Sequence, residues 1–98
     1  MNMQQLMMQA QKMQRELKKA KDALHEREFT VNKAGAVSVT VKGDKTIVKI
    51  DIDKDALEDK EMVEDMLAMA LNEAFDTIDD EEAAIEDKIT GGRGGIGF

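Results

Sequence analysis

The sequence predicts an α+β protomer: a long N-terminal helix, a three-stranded antiparallel meander, a C-terminal helix and a flexible Gly-rich tail. Three observations predict it. An apolar heptad fills the first quarter of the chain; two runs of β-branched residues alternating with polar ones follow; an acidic stretch then returns to helical period. The length, 98 residues, fits one domain spanning 1–98, of which 91–98 are the tail.

In the first element, Met3, Leu6, Ala10, Met13, Leu17, Ala20 and Leu24 are spaced alternately by three and four residues, with no Gly or Pro among them. A helix over roughly residues 2–27 is ~39 Å long at 1.5 Å per residue. Such a rod cannot fold back on itself, and its seam needs a partner. A chain this short buries only roughly 60–65% of its unfolded surface, so a lone core is marginal. The cheapest remedy is a second copy related by a two-fold axis. The expected assembly is therefore a homodimer with projecting helical arms.

In the middle, Val37, Val39 and Val41 alternate with Ser38, Thr40 and Lys42, and Val48, Ile50 and Ile52 alternate with Lys49 and Asp51. This is the period of half-buried strands. Lys42-Gly43-Asp44-Lys45 supplies the turn between them, with Gly43 expected to take a positive φ. Phe29 to Ala34 reads as a shorter strand turned at Gly35. Beyond the strands, Val63, Leu67, Ala70, Leu71, Ala74, Phe75 and Ile78 form an apolar helical stripe widened by Met62, Met66 and Met69. Asp55 or Asp59 is expected to cap its start. The run from Asp79 to Lys88 either continues that helix or frays through like-charge repulsion. "TGGRGGIGF" closes the chain with five glycines in nine residues and is expected to be mobile.

Composition excludes several classes. There is no Cys, so neither a disulfide nor thiolate chemistry is available. No segment has the ~18 consecutive apolar residues of a membrane span, and the Gln-rich start does not read as a secretory signal. Three Phe and no Tyr or Trp argue against base stacking as a binding mode. Ser38 and His25 are the only residues of their kinds and form no nucleophile–base pair, so no enzyme activity, small-molecule substrate or cofactor is expected. "DIDKDALEDKEM" imitates a calcium loop, but Ala56 stands where the loop needs Gly and Met62 where it needs Glu. "GRGGIG" has dinucleotide-loop spacing, but only Phe98 follows it and no helix. No metal site is expected.

Charge is the most informative feature. Residues 1–50 hold ten Lys/Arg against five Asp/Glu, while residues 51–98 hold four against sixteen. Within an acidic chain of net charge −7, Lys12, Arg15, Lys18, Lys19 and Lys21 face Glu16 alone across the same stretch. Lys12, Arg15 and Lys19 fall on one strip, on the helix face opposite the seam. That is either an ordinary solvated face or an anion-binding strip.

Four segments then occur together in order: "MMQAQKMQRELKKAKDAL", "VTVKGDKTIVKIDID", "DKEMVEDMLAMALNEAFD" and "TGGRGGIGF". Over essentially its whole length the chain resembles the YbaB/EbfC family of bacterial nucleoid-associated proteins. The resemblance implies a homodimer in the cytoplasm and nucleoid that binds DNA, with protomers joined mainly through their sheets and the long helices projecting like tweezers. It amends the seam-to-seam pairing that pattern alone suggests. Carried to this sequence, it makes Lys12, Arg15, Lys18, Lys19 and Lys21 the expected DNA-binding residues; the charge pattern adds Lys42 and Lys45 of the hairpin as a secondary patch. Low sequence specificity, nucleoid organisation and gene regulation are the expected roles. The competing expectation is a dimeric protein-interaction module using the Met-rich helix and a tail ending in Ile96 and Phe98.

Overall fold

The computed structural model describes residues 2–91; the expectation of a mobile tail falls mostly on residues outside them. Helix α1, Met3–Glu26, begins on a reciprocal cap. The Asn2 side chain accepts the Gln5 N–H at 2.8 Å, and the Gln5 side chain accepts the Asn2 N–H at 3.3 Å. The helix start is thus held by its own sequence. At the other end, Arg27 turns into extended backbone and closes the helix.

Strands β1 (Glu28–Lys33), β2 (Val37–Lys42) and β3 (Ile47–Ile52) form the expected antiparallel meander in the order β1-β2-β3. Phe29 lies opposite Val41 and Val31 opposite Val39; on the other side Val39 faces Ile50 and Val37 faces Ile52. All these side chains therefore share one face, leaving Thr30, Thr40, Ser38, Lys49 and Asp51 on the other. β3 begins at Ile47, one residue before the alternation suggests, because a register shift beside Thr40 and Val41 inserts an extra residue there.

The second hairpin corrects the expectation for Gly43. Lys45, not Gly43, takes the left-handed conformation, at φ 69°. Gly43 is needed for a different reason: a Cβ there would overlap the carbonyl of Leu24. Its N–H donates to the Arg27 carbonyl at 2.9 Å, which seats the hairpin against the root of α1.

A 3₁₀ turn, Lys54–Glu58, precedes helix α2, Lys60–Thr90. Asp59 caps α2 by accepting the Met62 N–H at 3.1 Å, and Gly91 closes it in the left-handed conformation. The acidic run continues the helix without a break. Its repulsion is offset by bases from outside the helix, since Asp79, Glu81 and Glu86 each meet a cation of the hairpin, of Arg27 or of α1.

α2 lies across β1 and β2. Val63, Ala70, Ala74 and Ile78 are buried against Val37, Val39 and Val41, with Ala56 of the 3₁₀ turn completing the cluster. Each fully buried Val contributes about 1.5–3 kcal/mol. Ala70 and Ala74, with no exposure, let the helix come close to the sheet. β3 is left uncovered on this face: Ile47 and Ile50 remain 45% and 43% exposed. α1 packs antiparallel along the far half of α2, where Leu24 is buried and Leu17 and Ala20 half-buried. From Asn2 to Glu16 every residue of α1 is exposed. The result is an elongated molecule, 68 Å in its longest dimension.

Candidate nucleic-acid interface

The basic strip forms because the seam fixes how α1 rotates. With Leu17 and Leu24 turned to α2, Arg15, Lys18 and Lys19 face outward on the far side of the helix, while Lys12 lies on the flank and borders the groove at the end of α2. Lys12 to Lys19 covers about 10 Å of axis.

The seven bases expected from the sequence do not form one set. Arg15 and Lys19 make no ion pair among the described residues, and both are exposed. Lys12 and Lys18 have partners on their own helix, Glu16 at 4.0 Å and Asp22 at 2.6 Å. Both pairs are exposed and screened by solvent, so they exchange readily for another anion. The hydrogen bond from Lys18 holds the Asp22 carboxyl below its ordinary pKa.

The other three are committed elsewhere. Lys21 sits four residues after Leu17, on the seam side, and turns to Glu86 of α2 at 4.0 Å. Lys45 meets Asp79 at 2.7 Å, a hydrogen bond that raises the lysine's pKa. Lys42 reaches Glu26 at 3.2 Å and ties the hairpin to the end of α1. Arg15, Lys18 and Lys19 thus stand clear of the acidic helix, Lys12 borders the groove at its C-terminal end, and Lys21 pairs with it. Among the bases outside the expected set, Lys33 is taken up by Glu73 of α2. Lys49 lies exposed on the helix-free face of the sheet, hidden in the strand pattern. Arg27 stacks 4.9 Å over Phe29 and pairs with Glu81 at 3.5 Å.

No cluster of three or more His, Cys, Asp or Glu side chains suited to a metal occurs among the described residues. No helix among them is long and apolar enough to cross a membrane. What the strip offers chemically is a row of exposed cations on a preformed rod, suited to oxyanions spaced along a backbone.

The model of the YbaB/EbfC DNA-binding family matches residues 1–93. The chain belongs to this family. A nucleoid-associated protein of Clostridium novyi is 42% identical over 95 residues, covering 94% of this chain and 83% of the relative. Another, from Agathobacter rectalis, is 45% identical over 97 residues, covering 96% and 86%. Among solved structures, an uncharacterized Helicobacter pylori protein is similar with a TM-score of 0.80 at 25% identity, covering 92% of this chain and 98% of that one. The family membership and the order of elements agree with the expectation drawn from the four sequence segments.

Proposed function

We propose that this protein is a non-catalytic, nucleoid-associated homodimer that binds DNA through the outward strip of α1 with little sequence preference. The observation that carries this reading is the position of Arg15 and Lys19, exposed and unpaired among the described residues on the helix face turned away from α2. Net charge cannot bring a chain of −7 to DNA. A local strip can, because at ~0.1 M salt charges more than about 10 Å apart are largely screened. Lys12 and Lys18 join it by exchanging a carboxylate for a phosphate. Few side chains able to read base edges accompany these cations, so contacts to the backbone and weak sequence preference follow.

Support for the homodimer comes from β3. Its free edge and its exposed Ile47, Val48 and Ile50 offer an apolar strand that a second sheet would cover. The DNA-binding description of the family and its nucleoid-associated relatives support a place in the nucleoid; the role we propose there is organising DNA and regulating genes. The second reading, a protein-interaction module, is favoured by the exposed Met3, Met7 and Met8 of α1.

Fluorescence anisotropy with unrelated duplexes at several salt concentrations tests the reading. Neutralising roughly six phosphates with two strips gives a log–log salt slope near −5. Changing Lys12, Arg15 and Lys19 together to Glu should abolish binding while sedimentation and helicity stay as in the parent. Unchanged affinity in that variant would remove α1 as the site, and absence of any DNA binding would leave the interaction module.

A further inference from the structure

The seam of α1 runs on past the end of α2. Its root half is packed, and α2 ends beside Met13, where an open groove is lined by Gln9, Lys12, Met13 and Glu16 of α1 and by Ile89, Thr90 and Gly91. Beyond that point Met3, Leu6 and Ala10 continue the same stripe in full exposure, Met3 at 74% and Leu6 at 51%.

Two further features narrow what covers it. Residues 2–11 carry no charge, in a chain whose residues are 36% charged. A phosphate backbone or a charged peptide finds no counter-ion there, whereas a second copy of the tip meets no repulsion. The stripe is also self-complementary. In an antiparallel pair centred between Leu6 and Met7, these two side chains face each other and the large Met3 meets the small Ala10. The overlap covers residues 2–11 and stops short of Lys12, which leaves the two Lys12 side chains roughly 16 Å apart along the axis.

We infer that the tip of α1 is a self-association surface, through which arms of separate particles pair antiparallel. The cap formed by Asn2 and Gln5 preforms the tip, so pairing orders little chain. Met3, Leu6, Met7 and Met13 together expose on the order of a few hundred Å² per tip, below the roughly 800 Å² per partner of a standard interface. The contact is therefore weak in free solution and fills where particles are held close together, as along one polyanion. The inference rests on the homodimer reading only for the number of tips per particle.

The absence of Cys allows a direct test by disulfide trapping. Under oxidation of the full chain, Leu6→Cys should at least double the particle mass in sedimentation, with several-fold more linked product than Gln4→Cys, which lies across the helix. Adding Met3→Glu to Leu6→Cys should suppress the link. Three results would overturn the inference: equal linking from Gln4→Cys; a link that leaves the particle mass unchanged, meaning that arms meet within one particle; or a several-fold rise when residues 92–98 are removed, meaning that the tail occupies the seam. The homodimer reading fails separately, if the unoxidised particle has the mass of one chain.

Discussion

Leu24 and Leu6 belong to the same heptad seam of the same helix, yet Leu24 is 1% exposed and Leu6 51%. The difference between the root and the tip of α1 lies outside the helix. At the root, α2 covers the seam, the hairpin comes within contact through Gly43, and Lys42 and Lys21 add ion pairs. At the tip α2 has ended, and only the cap at Asn2 stabilises the turn. Periodicity reports that a face is apolar and says nothing about what lies across it. The charges divide in the same way: Lys21, Arg27 and Lys45 near the root pair with carboxylates of α2, while Arg15, Lys18 and Lys19 stay outward.

The most severe way to sharpen this contrast is to truncate the two leucines in turn. Leu24→Ala opens a cavity under the root and should cost about 2–5 kcal/mol. Leu6→Ala should change stability by less than about 0.5 kcal/mol, as expected of an exposed position. Urea denaturation of the two variants side by side measures both. Equal costs would show that the tip is as well packed as the root.

Gly43→Ala attacks the root from the other side. The added methyl must displace the Leu24 carbonyl or the hairpin, and overpacking of this kind costs about 1–3 kcal/mol. Helicity at 222 nm and the urea midpoint would record it. A midpoint equal to the parent's would mean that the hairpin does not bear on the helix in solution.

Much of this organisation was legible in the sequence because it is local. The alternating spacing of Met3 to Leu24 and the alternation of Val37, Val39 and Val41 are properties of single elements, and both survive in the fold. What was hidden depends on pairs of elements. Lys21 and Lys45 looked like their neighbours until Glu86 and Asp79 of α2 came alongside. The role of Gly43 could not be read from turn chemistry, since it comes from a helix almost twenty residues earlier. Exposure of Ile47 and Ile50 depends on α2 crossing β1 and β2 and not β3. For the candidate site, the spacing of Lys12, Arg15 and Lys19 along one helix was legible in the sequence, whereas the exposure of Lys49 depends on which face of the sheet α2 covers.

Acid should act on the root and spare the tip, because residues 2–11 have no titrating side chain. Asp44 is held below the ordinary carboxylate range by hydrogen bonds from Thr46, and Asp22 by the hydrogen bond from Lys18. A depressed folded-state pKa contributes stability that is fully present above the unfolded value near ~3.9 and is lost as pH falls through the folded value. The urea midpoint should therefore decline below about pH 4, and Asp44→Asn should flatten part of that decline. An unchanged acid profile in Asp44→Asn would show that the turn it caps does not report on the root.

The smallest effect is expected at the far end of α2, where root and tip meet. Gly91 closes α2 by donating its N–H to the Asp87 carbonyl, and Ile85 and Ile89 are half-buried within the described residues. The glycines at 92, 94, 95 and 97 make any ordered arrangement of that stretch costly in backbone entropy, about 1–2 kcal/mol per residue fixed. Only Ile96 and Phe98 are available there to offset it by burial. Ending the chain after Gly91 keeps the helix cap and removes those residues, so the melting temperature should stay within a degree or two of the parent's. A fall of many degrees would mean that Ile96 and Phe98 cover part of α1, and the contrast between a packed root and a naked tip would then be one that the tail removes.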